Sequence, residues 1–387
     1  MTAPIFILAG EESGDILASR VMQAVNAAYG HQNWVGVGGT RMAAQGLHSF
    51  DDMARLSLIG IGAAIRHYKD LSQFADDLVD LVIKNRPKLI LTVDAKGFSV
   101  RFASRLKKRM RETGWSAPII HTVAPTVWAW GGWRRHKFAR VMDGLLCLFP
   151  FEPDYFTPLH LKSYFIGHPA AFDQKPPKPK KSAQTPPSHP VVLLLPGSRS
   201  SEVTHILPIM LAACDVLRQR FLGIKFILPA VPRLQGRITA LCDGRAIDIV
   251  EGAESLGAAL ENCDAVLAAS GTVTLEAALN GVPGAACYKA AWPSAMIGRL
   301  LVDMRKVILP NAILGREIYP FLFQEQMTPE NLASAIETTL HDPAARSNAY
   351  QAALDLRSCL TGGAGRFDAL VIDALQHWLG PPPKSKG

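Results

Sequence analysis

The chain has 387 residues, of which 48% are hydrophobic, and it carries a formal net charge of +8 at pH 7. This length exceeds a usual single domain and predicts two domains of roughly 150 to 200 residues each. No uninterrupted apolar run is long enough to span a bilayer, and residues 1–8 lack the basic start of a signal peptide, so we expect a protein that is soluble or bound to a membrane surface.

The six cysteines show neither C-x-x-C pairs nor metal-ligand spacing. Most stand in apolar or helical surroundings, which favours buried free thiols in a reducing cytosol over disulfides or zinc. No Asp-x-Asp motif occurs, and the turn after the first predicted strand is not G-x-G-x-x-G. We therefore expect no metal, no nicotinamide and no other cofactor.

Strands and helices are predicted to alternate along both halves of the chain. The predicted strands are residues 4–9, 34–37, 87–93, 119–123, 142–149, 191–195, 225–229, 247–250 and 265–269. One predicted helix follows the first strand and ends near residue 27. The other predicted helices span about 65–84, 206–220, 234–242, 329–340, 344–360 and 366–379. Residues 309–317 are predicted to form a loop.

A domain boundary is predicted at residues 174–190, which contain six prolines and four lysines and cannot hold regular structure. The predicted domains are therefore residues 1–173 and 191–360. A helix at 361–380 would pack back on the first domain, and residues 381–387 would form a disordered tail.

Small-residue turns follow several of the predicted strands. Ser270, Gly271 and Thr272 connect a strand to a helix, and a helix N-terminus has unpaired N–H groups and a dipole that favour an anion. Glu276, one turn further, suits two vicinal hydroxyls such as those of a ribose. The alternative is a capped helix with a solvated glutamate.

Two further strand ends carry polar residues. Asp94 ends a buried strand, where a carboxylate points into the ligand crevice of an open α/β sheet and is a candidate for chemistry. A tight loop is predicted at residues 10–15. The turn Gly197-Ser198-Arg199 carries an arginine able to hold a diphosphate.

A basic and aromatic segment lies between residues 101 and 140. It contains ten Lys and Arg residues and one acidic residue, Glu112. Such a segment favours an anionic partner, namely nucleic acid, acidic lipid headgroups or phosphorylated ligands. The alternative for residues 101–111 is a solvated helix face. No nucleic-acid module pattern is present, so we favour lipid and expect no nucleic acid. The segment includes Trp128, Trp130, Trp133, Arg134 and Arg135. Residues 56–64 are apolar and form either a core element or a wall for an apolar ligand.

Two α/β halves with ligand-type turns predict two Rossmann-like domains facing a cleft, the glycosyltransferase B fold. Strand–helix alternation by itself would also permit a dehydrogenase or a periplasmic-type binding protein.

An ordered set of motifs resembles the lipid-A-disaccharide synthases of Gram-negative bacteria and covers residues 5 to 375. In the first half the motifs are G-E-x-S-G-D at 10–15, V-G-x-G-G-x-x-M at 35–42, V-D-A at 93–95, P-x-V-W-A-W at 125–130, P-F-E at 150–152 and G-H-P at 167–169. In the second half they are L-L-P-G-S-R-x-x-E at 194–202, A-S-G-T-x-T-L-E at 269–276, L-P-N at 309–311 and G-R-E at 315–317.

The resemblance implies an inverting, metal-independent glycosyltransferase of lipid A biosynthesis. It would join UDP-2,3-diacylglucosamine to 2,3-diacylglucosamine 1-phosphate, releasing UDP. The enzyme would be cytoplasmic and peripheral on the anionic inner face of the inner membrane, and a homodimer is compatible with the family. The first domain would bind the acceptor lipid and the second the UDP-sugar.

Site roles follow from the same resemblance. Asp94 would be the general base, Arg199 would stabilise the leaving diphosphate, and Glu11 would be a further catalytic residue in the cleft. The UDP-sugar would contact Gly197, Ser198, Arg199, Ser270, Gly271, Thr272, Glu276, Asn311 and Glu317. The acceptor, lipid or membrane would contact Ser13, Lys96, Trp128, Trp130, Trp133, Arg134 and Arg135, with residues 56–64 near the acyl chains. His121 and His168 are predicted to be structural.

One departure from the family pattern lies beside the predicted base. The family has Asp-Ala-Pro-Asp-Phe-Asn, whereas residues 94–99 read Asp-Ala-Lys-Gly-Phe-Ser. Lys96 would weaken Asp94 as a base or bind the acceptor phosphate. The alternatives are another UDP-N-acetylglucosamine enzyme of this fold, such as a 2-epimerase or a lipid-intermediate transferase, and a nucleotide-sugar or lipid binding protein with impaired chemistry.

Overall fold

The protein divides into two compact units in the computed structural model, which describes residues 3–57, 68–177, 187–251, 253–289 and 303–383. Unit 1 comprises Met1–Phe172 and Leu360–Gly387, and unit 2 comprises Asp173–Cys359. The chain thus leaves unit 1 once and returns to it at its C-terminal end.

The first part of the chain supplies a parallel sheet and its covering helices. The strands are β1 (Ile5–Ala9), β2 (Trp34–Gly38), β3 (Leu47–Asp52), β4 (Leu89–Val93), β5 (Ile119–Thr122), β6 (Gly144–Cys147) and β7 (Lys162–Phe165). The helices are α1 (Glu12–Tyr29), α2 (Thr40–Ala43), α3 (Ala54–Ser57), α4 (Tyr68–Asn85), α5 (Lys96–Thr113), α6 (Arg134–Val141) and α7 (Pro169–Asp173). The strand order is β3-β2-β1-β4-β5-β6-β7.

The second part repeats this plan. The strands are β8 (Val191–Leu195), β9 (Lys225–Ala230), β10 (Asp248–Glu251), β11 (Ala265–Ala269), β12 (Gly284–Tyr288) and β13 (Phe321–Phe323), in the order β10-β9-β8-β11-β12-β13. The helices are α8 (Ser200–Arg220), α9 (Gln235–Cys242), α10 (Ala253–Asn262), α11 (Thr272–Leu279), α12 (Leu309–Leu314), α13 (Pro329–His341), α14 (Ala345–Thr361) and, back in unit 1, α15 (Phe367–Leu379).

Both faces of the unit 1 sheet are buried, as parallel strands require. In β1, Ile5, Ile7 and Ala9 pack in one cluster with side chains of α1 and α15, whereas Phe6 and Leu8 pack on the opposite face with side chains of α4 and α5. This period-2 split explains why β1 reads as a continuous apolar run.

The two-unit parallel α/β architecture predicted from the sequence is confirmed, and most predicted strands agree with the observed ones to within two or three residues. The sequence prediction missed several strands because they are short or lack an apolar run: β3, β7, β12 and β13. The predicted tail falls mainly on residues 384–387, which lie outside the described part of the chain.

Two predicted loops are wrong. Residues 10–15 were predicted as a loop, but α1 begins at Glu12 and includes Asp15. Residues 309–317 were also predicted as a loop, but Leu309–Leu314 form α12. This helix has Pro310 in its first turn, and Gly315 follows its last residue in the left-handed conformation. Proline at a helix start and glycine just past its end are the ordinary signals for such a short helix.

Among the described residues, α8 is the one helix long and apolar enough to cross a membrane by length and composition. Its buried side chains, including Val203, Ile206, Leu207 and Met210, pack in the core of unit 2. A buried core helix passes the same test of length and composition, and the packing of α8 is that of a core helix.

Candidate active site

The strand order reverses beside the first strand of each sheet, between β1 and β4 in unit 1 and between β8 and β11 in unit 2. Connections from such neighbouring strands run to opposite faces, so a crevice opens at their carboxyl ends, where open α/β sheets bind ligands. The turns predicted to carry Glu11, Asp94, Arg199 and Ser270 follow these four strands.

Asp94 lies in a constrained turn directly after β4. Asp94 and Ala95 both adopt the left-handed conformation, with φ of 53° and 43°. The backbone is held from two sides, because the N–H of Asp94 donates to the carbonyl of Thr122 (2.7 Å) and the hydroxyl of Ser99 donates to the carbonyl of Asp94 (2.9 Å). Non-glycine residues in this region cost about 1–3 kcal/mol and are concentrated at functional sites.

The turn after β1 packs on the Asp94 turn. A Cβ at Gly10 would lie 2.8 Å from the Cβ of Ala95, and a Cβ at Gly14 would lie 3.5 Å from the carbonyl oxygen of Val93. Glycine is therefore needed at position 10 for this close approach. Glu11 and Ser13 are exposed at the N-terminus of α1, so Glu11 and Asp94 belong to neighbouring turns.

Lys96 lies beside the predicted base. Its Nζ is 3.7 Å from Oδ1 of Asp94, and both side chains are about one-third exposed. Ser99, at the position where the family has asparagine, is the residue that holds the carbonyl of Asp94. The departure from the family pattern thus keeps the turn in place and adds a cation to it.

Glu152 is a buried carboxylate whose role the sequence reasoning did not identify. It accepts hydrogen bonds from the N–H groups of Leu148 (3.0 Å) and Phe149 (3.1 Å) and from Nε1 of Trp128 (3.3 Å). Burial raises the pKa of Glu152 to about 7, although these hydrogen bonds and the charge of Lys96 oppose the shift. Through its hydrogen bonds, Glu152 connects the segment after β5, which carries Trp128, to the segment after β6.

The expectation for Trp128 has to be corrected. Its side chain is 6% exposed and makes edge contacts with Phe149 and Phe151, in addition to its hydrogen bond to Glu152. It is a core residue and does not face a lipid surface. The prediction rested on three tryptophans beside a basic cluster, and this composition does not reveal that Glu152 binds the indole of Trp128.

His121 is completely buried, with Nδ1 2.8 Å from the hydroxyl of Thr92. Burial lowers the pKa of His121 to about 3, and the positive charge of Lys96 adds to the effect. The ring is therefore neutral at physiological pH. Nδ1 of His168 accepts the N–H of Ala170, and its ring stacks on Phe149. These contacts fit the structural roles predicted for both residues.

In unit 2, the turn after β8 is closed by Glu202. Its Oε2 accepts the N–H groups of Ser198 and Arg199 (both 3.1 Å), and its Oε1 pairs with the guanidinium of Arg199 (2.9 Å). A Cβ at Gly197, where φ is 105°, would lie 2.3 Å from Oε2 of Glu202. The amides of Ser198 and Arg199, expected to face a diphosphate, are thus already bonded to a carboxylate.

The N-terminus of α11 differs from that of α8, because its N-cap residue is Gly271, which has no side chain to cap it. Gly271 and Thr272 are exposed, and the N–H of Ser270 donates to the carbonyl of Cys287 (2.9 Å). Glu276 is half-buried, and burial raises its pKa. Its contact with a ribose stays a prediction.

Tyr288, at the end of β12, is a further residue of this region that the sequence did not indicate. Its pKa is raised by burial and by the negative charge of Glu202, and Arg199 opposes the shift.

The side chain of Asn311 is bonded to the backbone. Its Oδ1 accepts the N–H groups of Ile318 and Tyr319 (2.9 and 3.0 Å), and its Nδ2 donates to the carbonyl of Tyr319 (2.8 Å). The amide holds the turn after α12, and the expected contact of Asn311 with UDP-sugar stays a prediction. Glu317 lies on that turn and is exposed.

The basic charge of α5 is smaller than the sequence indicated. Arg105 pairs with Asp76, Lys107 with Asp143 and Arg109 with Asp80. These acids lie outside the segment 101–140, so a count along that segment cannot include them.

A basic–aromatic patch around α6 is formed by the exposed side chains of Trp130, Trp133 and Lys137 and by the partly buried Arg134 and Arg135. Trp130 is 43% exposed and Trp133 is 60% exposed. The guanidinium of Arg134 lies 3.6 Å from the centroid of the Trp130 ring, and Nζ of Lys137 lies 4.9 Å from that of Trp133. Residues 58–64, predicted to meet acyl chains, lie outside the described residues.

Within the described ranges, no group of three or more His, Cys, Asp or Glu side chains is placed so that it could hold a metal ion.

Several solved structures share this architecture. The UDP-N-acetylglucosamine 2-epimerase of Listeria monocytogenes matches with a TM-score of 0.65 at 13% identity, covering 98% of this chain and 97% of its own. The S. aureus MnaA–UDP co-structure matches with a TM-score of 0.65 at 10% identity over 100% of both chains. The glycotransferase of kitacinnamycin matches with a TM-score of 0.59 at 15% identity, covering 99% of this chain and 100% of its own. The fold is that of the glycosyltransferase B class.

The chain belongs to the lipid-A-disaccharide synthetase family, whose sequence model matches residues 5–363. The lipid-A-disaccharide synthase of Rhodospirillum centenum is 37% identical over 352 residues, covering 88% of this chain and 86% of the relative. That of Anaeromyxobacter dehalogenans is 34% identical over 376 residues, covering 93% and 94%. The chain is therefore a hexosyltransferase of lipid A biosynthesis, and the epimerase alternative is not favoured.

The buried Glu152 predicts a pH-dependent stability. Its pKa in the folded state, about 7, lies above the ordinary value of 4.5, so the folded state binds more protons between these values. The contribution of Glu152 to the free energy of unfolding should then fall as pH rises from about 5 to 7, by up to about 3 kcal/mol. Urea unfolding at pH 5 and pH 8 should show the wild type losing stability relative to Glu152→Gln.

Glu112→Gln is the matched control, because Glu112 lies on the exposed side of α5 in weak ion pairs. Its stability difference from the wild type should change little between the two pH values. An equally flat difference for Glu152→Gln would contradict the prediction.

Proposed function

We propose that the protein transfers 2,3-diacylglucosamine from UDP to the 6-hydroxyl of 2,3-diacylglucosamine 1-phosphate, with inversion at the anomeric carbon. The products would be a β(1→6)-linked tetraacyl disaccharide 1-phosphate and UDP. Membership of the family supports this substrate pair. The observation that carries it is the Asp94 turn, a constrained carboxylate at the switch point of unit 1.

Asp94 would act as the general base. Its carboxylate would take the proton of the acceptor 6-hydroxyl while that oxygen bonds to the anomeric carbon, and the bond from this carbon to the β-phosphate oxygen would break, with its electron pair leaving on UDP. Ser99 and the carbonyl of Thr122 fix the backbone of Asp94, which limits the loss of orientation during the reaction.

Unit 2 would bind the donor at its own switch point. The uncapped N-terminus of α11 would face a phosphate, Glu276 would accept the ribose hydroxyls, and the guanidinium of Arg199 would stabilise the leaving diphosphate. Arg199 is exposed and its guanidinium is oriented by Glu202. Glu11, Ser13 and Glu317 are exposed and stay candidates for substrate contacts.

The basic–aromatic patch would place unit 1 on the anionic cytoplasmic face of the inner membrane. Two exposed indole rings beside three cations suit an interface that is apolar on one side and negatively charged on the other. The homodimer compatible with the family stays a prediction, which the mass in light scattering would test.

UDP release in the presence of both acylated glucosamines tests the transfer. Wild type should release UDP only when the acceptor is present, whereas an epimerase would convert its nucleotide sugar without acceptor. Asp94→Asn should lower kcat by about 10²–10⁴-fold, the usual contribution of a general base, and should bind UDP normally. Near-normal turnover in this variant would remove Asp94 from the mechanism.

Lys96 is predicted to bind the acceptor phosphate. Lys96→Ala should raise KM for the acceptor about tenfold, because one charge-assisted contact is lost. It should also reduce the preference of the enzyme for the acceptor over 2,3-diacylglucosamine without the phosphate. Lys108→Ala, on an exposed position of the same helix, is the control. An unchanged acceptor KM for Lys96→Ala would exclude this contact.

Sedimentation with vesicles tests the membrane surface. The wild type should bind vesicles containing phosphatidylglycerol and release them at high salt. The variant Trp133→Ala/Lys137→Ala should bind about tenfold less, whereas Leu222→Ala, which alters a fully exposed leucine of unit 2, should bind as the wild type does. Equal binding by all three proteins would exclude the patch as the membrane contact.

A further inference from the structure

We infer that Arg233 and Arg237 bind the diphosphate of the donor together with Arg199. The inference rests on the proposed function, because it concerns the donor site of unit 2. Neither arginine belongs to a motif that the sequence singled out, and both follow β9, the strand next to β8.

Three arginines converge on the turn after β8. Nη2 of Arg233 donates to the carbonyl of Ser198 (2.8 Å), Nη1 of Arg237 donates to the hydroxyl of Ser200 (2.8 Å), and Nη1 of Arg199 pairs with Glu202 (2.9 Å). All three arginines are exposed. Each guanidinium has five N–H donors, and these contacts engage one each, so further donors are available to a ligand.

The backbone of this turn is a poor anion site by comparison. The N–H groups of Ser198 and Arg199 are bonded to Glu202, which is 7% exposed. A phosphate could reach these amides only by displacing a buried carboxylate and leaving its charge without partners, which is strongly unfavourable. At this turn, the groups available to the diphosphate are therefore the guanidinium groups and not the backbone amides.

The charge of the cluster suits a diphosphate. Of the three arginines, Arg199 is paired with a carboxylate, Glu202, whereas Arg233 and Arg237 donate to the neutral carbonyl of Ser198 and hydroxyl of Ser200. Arginine forks match the geometry of phosphate oxygens, and paired N–H···O contacts fix orientation as well as adding attraction. Their location at the carboxyl edge of β8 and β9 places them beside the switch point.

Calorimetric titration of the full-length protein with UDP and with uridine tests the inference. Arg233→Ala and Arg237→Ala should each weaken UDP binding about tenfold, as expected for one lost charge-assisted contact, and the double variant should lose more. Uridine, which has no phosphate, should bind to every variant with the same affinity as to the wild type. Arg233→Lys should recover part of the affinity, because it restores the charge without the fork.

Arg220→Ala is the control, since Arg220 pairs with Glu337 at the opposite end of α8. It should bind UDP as the wild type does, and thermal unfolding should show all variants folded. If the wild type prefers UDP over uridine but both arginine variants bind UDP within about twofold of it, the inference is overturned and the proposed donor site stands. If the wild type itself does not prefer UDP over uridine, both are overturned.

Discussion

Buried side chains that accept backbone N–H groups hold the turns on which the candidate site depends. Asp15 accepts the N–H groups of Gly39, Arg41 and Met42 at the start of α2, Glu152 accepts those of two residues after β6, and Glu202 accepts those of two residues after β8. Turn amides that pair with neither a sheet nor water are costly, and a carboxylate that accepts two or three of them fixes the turn. Asn311 does the same with an amide.

The polar residues of the motifs therefore fall into two kinds, those that hold turns and those that are exposed. Asp15, Glu152, Glu202 and Asn311 are partly or wholly buried and bonded to the backbone, so they support the turns of the site. Other motif residues, such as Glu11 and Arg199, are exposed at the ends of the central strands. A polar residue in a motif therefore gives no information on its own about whether it binds a ligand or supports the turn that does.

The sheet topology explains why residues far apart in sequence form one site within each unit. Parallel strands end at the same edge, and the reversal of strand order beside β1 and β8 opens a crevice there. Glycine at positions 10 and 197 lets the adjoining groups approach closely, since a Cβ would overlap Ala95 in one case and Glu202 in the other. The same edge brings Arg233 to the turn of Arg199.

The two-unit α/β class, most of the strands and the turns that carry Asp94, Arg199 and Ser270 are predictable from the sequence alone, because apolar runs followed by small or polar residues are local patterns. Such patterns cannot express what the folded arrangement shows: that Trp128 is buried against Glu152, that Asp76 and Asp80 of α4 pair with two arginines of α5, and that Glu202 occupies the amides after β8. Burial and pairing depend on neighbours distant in the chain, and only the folded arrangement of strands and helices selects them.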